Sequence, residues 1–229
     1  MSIGSWFLNI FIILSVLYAM TFLPPSAGPG DRLAPIRRAL AWICVPLGIG
    51  VAVYTGIMLG AMPSRPLWNS PILAALFVLS ALSSGVASII LAGVFFRRKS
   101  NDPAIRDDYE NSSYLLISSD ALLLASELMV VFLFLLFGHL TIGDVRYAIA
   151  AILPGGELAY MFWGLVVIAG LLVPFFIELF QIVPKLIYDR EFKSHVAVEV
   201  AVPIAILIGG FALRYTIVVA GQITAPAVL

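Results

Sequence analysis

The chain has 229 residues, of which 62% are hydrophobic and only 11% charged, and its 13 basic and 13 acidic side chains balance to zero net charge. A soluble domain carries roughly 25% charged residues, so this balance and a mean hydropathy of +1.07 exclude an ordinary water-facing globule. No basic patch with interleaved aromatics is present, which argues against nucleic acid as a partner and leaves membrane lipid as the natural surroundings.

Six apolar stretches, each long enough to cross a hydrocarbon core of about 30 Å, make up most of the length. They predict helices over roughly 2–23, 39–61, 71–95, 113–138, 159–183 and 196–220, named A to F below. The expected fold class is all-α: a polytopic membrane helix bundle with six transmembrane helices, forming a single membrane domain over residues 1–229. Helix A starts Met1-Ser2-Ile3-Gly4-Ser5-Trp6 without Lys or Arg, and its apolar run exceeds signal-peptide length. It is therefore expected to stay rather than be cleaved near Ser26-Ala27-Gly28. Helix B carries the single Cys44, which rules out an internal disulfide and a thiol-based disulfide oxidase. Cys44 reads as a small buried apolar residue.

Basic residues set the orientation. Arg32, Arg37 and Arg38 lie between A and B, Arg97, Arg98, Lys99 and Arg106 between C and D, and Lys185, Arg190 and Lys193 between E and F. The opposite side holds Arg65 and Arg146. Ten against two predicts that the first set of loops faces the cytoplasm and that both termini face outward. Pro46, Pro174 and Pro203 fall inside helices, where each removes a backbone hydrogen bond. Two readings stand for them: kinks that open a ligand cavity, or packing alone.

The outer end of B carries Tyr54, and the B–C loop after it carries Pro63, Arg65, Pro66, Trp68 and Asn69 before Pro71 opens helix C. Tyr54 and Trp68 suit an aromatic belt. Equally, a loop stiffened by prolines and bearing Arg65, Trp68 and Asn69 suits the docking of an extramembrane subunit. On helix C, Ser80, Ser84 and Ser88 recur every four residues beside Ser83. This small polar stripe reads either as close helix packing or as a hydrated lining.

Ionisable residues inside a bilayer are costly, roughly 2.5–3.5 kcal/mol each on insertion scales, and usually face the bundle interior. Glu127 lies near the middle of D, and Asp120 seven residues earlier on the same face. Glu178 on E and Glu199 on F fall toward the cytoplasmic side. With Ser84 these form a candidate proton path: Asp120, Glu127, Glu178 and Glu199. Structural roles stand beside it, above all for Glu178 and for Glu199, four residues past His195. Arg214 on F lies in the outer third, at a depth comparable to Tyr54 and to Asn9 on A. It needs a partner, whether a carboxylate, backbone carbonyls or a ligand. The two histidines, His139 and His195, fall at opposite ends of their helices. They cannot share a b-type haem, and neither has neighbours at metal-ligand spacing. No haem and no intrinsic metal are expected.

Tyr54-Thr55-Gly56, Pro66-Leu67-Trp68-Asn69-Ser70-Pro71, Ser80-Ala81-Leu82-Ser83-Ser84-Gly85 and Gly209-Gly210-Phe211-Ala212-Leu213-Arg214-Tyr215, with Val219-Ala220-Gly221-Gln222 after them, strongly resemble the NrfD/PsrC family of quinone-reactive membrane subunits. The similarity runs through essentially the whole chain. It implies a haem-free, eight-helix subunit of the prokaryotic cytoplasmic (inner) membrane, with quinone (menaquinone or ubiquinone) bound near the outer face. It also implies electron exchange with a docked, four-cluster ferredoxin-like iron–sulfur subunit, and through it with a molybdopterin oxidoreductase or a multihaem cytochrome. Tyr54 matches the tyrosine that, in the family, hydrogen-bonds the quinone head group. The start of the chain resembles the family's third helix, so the first two, which supply some quinone contacts, are expected to be absent. The candidate quinone set is Tyr54, Asn9 and Arg214. The leading expectation is a quinone-reactive subunit of a respiratory oxidoreductase complex. The alternatives are a structural anchor without its own quinone site and an ion or proton transporter; the lack of a visible inverted repeat speaks against the last.

Overall fold

A computed structural model of the chain describes residues 2–22, 33–62, 64–96, 103–188 and 196–224. All the regular structure among them is helical: α1 (Ser2–Met20), α2 (Ala34–Gly60), α3 (Pro71–Phe96), α4 (Pro103–Leu140), a short α5 (Asp144–Ile149), α6 (Val173–Tyr188) and α7 (Val196–Ile223). A π-helical stretch, Met161–Leu172, runs directly into α6. Among the described residues, five spans rather than the six expected are long and apolar enough to cross a membrane: Ala34–Gly60, Pro71–Phe95, Asn111–Leu140, Met161–Ile187 and Val196–Ile223. Helix α1 is apolar but shorter. The helices carry large bare side chains, among them Trp42, Phe95, Leu122, Phe180 and Phe211, each at least 69% exposed. Apolar surface on that scale must be covered by lipid or by neighbouring membrane helices, and the protein is a multi-pass membrane protein.

Helix ends follow local chemistry. Pro35 stands in the first turn of α2, where its missing N–H is no loss. The segment 103–112, expected as loop, is instead the first turns of α4. Likewise α6 continues through Pro184 to Tyr188, beyond the expected end at 183. Expected helix E is not uniform. Its first half winds in π fashion, and the Val173 N–H reaches back to the Ile168 carbonyl. The winding changes next to Pro174, whose missing N–H deprives an upstream carbonyl of its α-helical donor. Ser26-Ala27-Gly28, Pro63, His195 and most of the basic residues that set the orientation (Arg32, Arg97, Arg98, Lys99, Arg190, Lys193) lie outside the described residues.

Helices α3, α4, α6 with its π-helical lead, and α7 pack as a bundle, and α3 touches α2, α4 and α7. An antiparallel hairpin of α1 and α2 leans on this bundle through the α2–α3 contact. The hairpin's register is pegged at three heights. Gly4 sits beneath the ring of Tyr54, the edge of Phe11 lies against Gly48, and Arg37 Nη2 donates to the Thr21 carbonyl at 2.9 Å with its guanidinium 4.4 Å above the Phe22 ring. Gly56 in turn abuts the backbone of Ala74. Close approach of this kind needs a residue without a side chain.

Candidate functional site

The end of the bundle carrying the α2–α3 loop is taken as the upper end. Its upper half is an apolar core built on Leu73, Leu76, Phe134, Phe162, Leu213 and Ile217. A smaller apolar cluster, Ile90, Ile117, Ala121 and Ile182, closes the lower part. Between and beside them run buried polar groups from four helices.

Arg214 on α7 donates from Nη1 to the Gly210 carbonyl at 2.9 Å and to Ser80 Oγ on α3 at 3.5 Å, the limit of a hydrogen bond. The Ser80 hydroxyl also hydrogen-bonds Glu127 on α4, and Arg214 is the cation acting on that carboxylate. Glu127 is only 3% exposed, and a buried charge persists where it is paired and hydrogen-bonded. One turn lower on α3, Ser83 donates to Asp120 Oδ1 at 2.8 Å. Asp120 interacts electrostatically with both Glu127 and Glu178. Asp120 and Glu178 are fully buried, and their Oδ2 and Oε2 atoms have no hydrogen-bond partner among the described residues. The arrangement is a polar seam: Arg214, Ser80, Glu127, then Ser83, Asp120 and Glu178.

The serine stripe divides its labour. Ser80 and Ser84 face α7 at Gly210, where a Cβ would meet Ser84 Oγ at 2.8 Å and Ser80 Oγ at 3.4 Å. Ser83 turns to α4, while Ser88 is exposed and donates to its own helix at the Ser84 carbonyl, 2.7 Å. Close packing and polar lining therefore coexist on one helix. The adjacent Gly209 faces Gly170 of the π-helical stretch so closely that a methyl on either would collide with the other's backbone. Of the expected path residues, the structure joins Asp120, Glu127 and Glu178 and sets Ser84 beside them. Glu199 is buried too, but in the first turn of α7, roughly 16 Å below Gly210 at 1.5 Å per residue.

The expected trio of Tyr54, Asn9 and Arg214 does not converge. Tyr54 is half-buried in the α1–α2 seam, its ring over Gly4. Asn9 is exposed, and its amide donates to the Ser5 carbonyl of its own helix at 2.8 Å. Arg214 is turned to Ser80 and Glu127. From the Gly56–Ala74 contact, Ser80 lies roughly 6 Å lower than Tyr54.

The α2–α3 loop also departs from expectation. Trp68 is not a surface anchor: it is 7% exposed, its Nε1 donates to the Ile217 carbonyl at 2.8 Å, and its indole presses on Gly221. Arg65 Nη1 donates to the carbonyls of Gly221 at 3.1 Å and Gln222 at 2.9 Å, and its guanidinium lies 5.9 Å from the Trp68 ring centre. Both side chains are spent on the upper end of α7, and Asn69 alone of the three is exposed. Sequence reading missed this because the partners are about 150 residues away; Gly221 was the available signal. Among the described residues, no three His, Cys, Asp or Glu side chains converge as metal ligands would.

Comparison with known proteins bears on what such a bundle is. The family model for polysulphide reductase, NrfD, matches residues 1–226. The sequence is 32% identical over 202 residues to the C subunit of the polysulfide reductase of Wolinella succinogenes, covering 85% of this protein and 59% of that one. It is 30% identical over 206 residues to a protein NrfD homolog of Haemophilus influenzae, covering 90% and 58%. Against protein NrfD of Escherichia coli it is 31% identical over 195 residues, covering 84% and 55%. The chain thus spans little more than half the length of these relatives. No solved structure matches it significantly. The family match takes in the Tyr54 hairpin, the α2–α3 loop and the whole polar seam, and this multi-pass membrane chain belongs to the polysulphide reductase NrfD family.

Proposed function

We propose that this chain is the membrane subunit of a respiratory oxidoreductase in the prokaryotic cytoplasmic membrane, that it binds quinone or quinol, and that it exchanges electrons with a docked iron–sulfur subunit. The observation that carries the proposal is the family membership over residues 1–226, joined to a bundle with a tyrosine at a lipid-facing seam and a charged seam behind it. In this reading the upper end is the outer face, and helix α1 is a sixth span beside the five long ones. Quinone supplies a couple that takes up two electrons and two protons. The protein's own contribution is to bind the head group and to move protons.

The residues present fit such a ligand at one point. The Tyr54 phenol stands half-buried between α1 and α2, with Trp6, Ile57 and Met58 exposed around the same hairpin. An apolar wall with one donor is the usual make-up of a small-molecule site, and a phenol donates to a carbonyl oxygen. Asn9 and Arg214 are engaged elsewhere in this structure, so Tyr54 is the residue proposed to hold the head group. Asp120, Glu127 and Glu178 are proposed to carry protons along the seam. Glu127, hydrogen-bonded to Ser80 and in the field of Arg214, stands between the others and the upper end. Asn69 and the exposed rim of the outer loop are proposed to meet the iron–sulfur subunit.

The test is made on the complete complex. Extraction should find quinone in it, and Glu127→Gln, which keeps size and removes titration, should change the pH profile of quinol turnover. A complex without quinone, or a Glu127→Gln profile that superimposes on the wild type, rejects the corresponding part of the proposal.

A further inference from the structure

Helix α7 carries Arg214 between two fixed points. Below, Gly209 is seated against Gly170 with no side chain intervening. Above, the outer loop supplies three hydrogen bonds to the last turns of the helix: Trp68 to Ile217, and Arg65 to Gly221 and Gln222. The final carbonyls of a helix lack internal donors, and a cation there also complements the helix dipole. The loop is thus built to hold α7 by its end. Ile217 is three residues, roughly 4.5 Å, above Arg214, and the reach from Arg214 to Ser80 is already 3.5 Å. A small axial slip or rotation of α7 would therefore break that contact.

We propose that Arg65 and Trp68 are positioning residues that set the height and rotation of α7, and thereby the meeting of Arg214 with Ser80 and Glu127. Neither touches the seam. Their effect on it passes along a helix that is gripped at Gly221 and pivots at Gly209. The loop's exposed rim and the buried charges are then mechanically one object, so a protein seated on that rim acts on the seam from a distance. The role in turnover rests on the quinol function proposed above; the grip on α7 does not.

The experiment compares Trp68→Phe, Arg65→Gln and Arg65→Lys with the wild type in the full complex. Trp68→Phe keeps an aromatic body over Gly221 and deletes one hydrogen bond. Amide exchange over residues 214–223 should then quicken roughly three- to tenfold, as expected for one such bond, with α3 unchanged. Arg65→Gln should do the same, and Arg65→Lys should restore most of the protection. In turnover, Trp68→Phe should shift the pH profile when Glu127 is present and lose that effect in a Glu127→Gln background, a non-additive pair. Unchanged exchange over 214–223 overturns the grip, and additive effects overturn the positioning role. A complex that neither oxidises quinol nor reduces quinone sinks the proposed function, while the exchange measurement still decides the grip.

Discussion

The α1–α2 hairpin and the bundle of α3, α4, α6 and α7 are both strongly apolar in sequence but organised on opposite principles. In the hairpin the interior is a thin line of glycine and aromatic contacts, and few residues, Gly4, Thr21 and Gly56 among them, are fully buried. In the bundle a line of ionisable and hydroxyl groups is sealed inside, between two apolar clusters. Hydropathy reports only the solvent a helix is made for. What a helix hides is set by a few residues, glycines in one region and carboxylates with an arginine in the other.

This contrast ranks the consequences of substitution. The largest effect is expected where a buried charge is orphaned. Arg214→Leu takes away the cation that acts on Glu127, and leaving a buried charge uncompensated costs about 3–5 kcal/mol. Thermal unfolding in detergent should show a sharp loss, partly recovered in the Arg214→Leu/Glu127→Leu double variant; equal stability of the single variant and wild type would mean that the pair does not form. Next comes the glycine contact of the bundle. Gly209→Ala drives a methyl into the Gly170 backbone, an overpacking cost of about 1–3 kcal/mol, visible as a lower midpoint in the same assay.

The hairpin should respond more weakly. Tyr54→Phe keeps the ring over Gly4 and deletes the hydroxyl, so stability should hold while quinol affinity falls by up to about tenfold, the worth of one hydrogen bond of roughly 0.5–1.5 kcal/mol. Wild-type quinol kinetics in that variant would remove Tyr54 from the site. Smallest of all, Trp42→Leu on the lipid-facing side of α2 should stay within about 0.5 kcal/mol of wild type. A larger loss would reveal that another protein surface, rather than lipid, covers that face.

How much of this was legible in advance divides along the same line. Five long spans followed from apolar length, because a hydrocarbon slab reads composition directly. The burial of Asp120, Glu127 and Glu178 followed from the cost of charge in lipid. Partner choice did not follow. Arg214 had a carboxylate, carbonyls and a ligand open to it, and only the register of α7 on α3 selects Ser80, the Gly210 carbonyl and the field of Glu127. Trp68 looked like a surface aromatic because its acceptor, the Ile217 carbonyl, belongs to a helix far along the sequence. The helical start of α4 at Pro103 is polar, so a scale built on hydropathy passes over it. The π-helical winding before α6 has no distinct apolar period, and Pro174 alone hinted at it.

The three pegs of the hairpin carry a consequence for biogenesis. Gly4 with Tyr54, Phe11 with Gly48, and Thr21 with Arg37 each pair residues whose numbers add to nearly the same value, so the two helices have one register from top to bottom. All of these contacts lie between α1 and α2 and their flanks and none involves the bundle. Such a pair can zip together as soon as α2 leaves the translocation machinery, before α3 has joined it in the membrane. It would then offer α3 a finished surface, with Gly56 ready for Ala74, and the membrane domain would assemble in the order in which it is made.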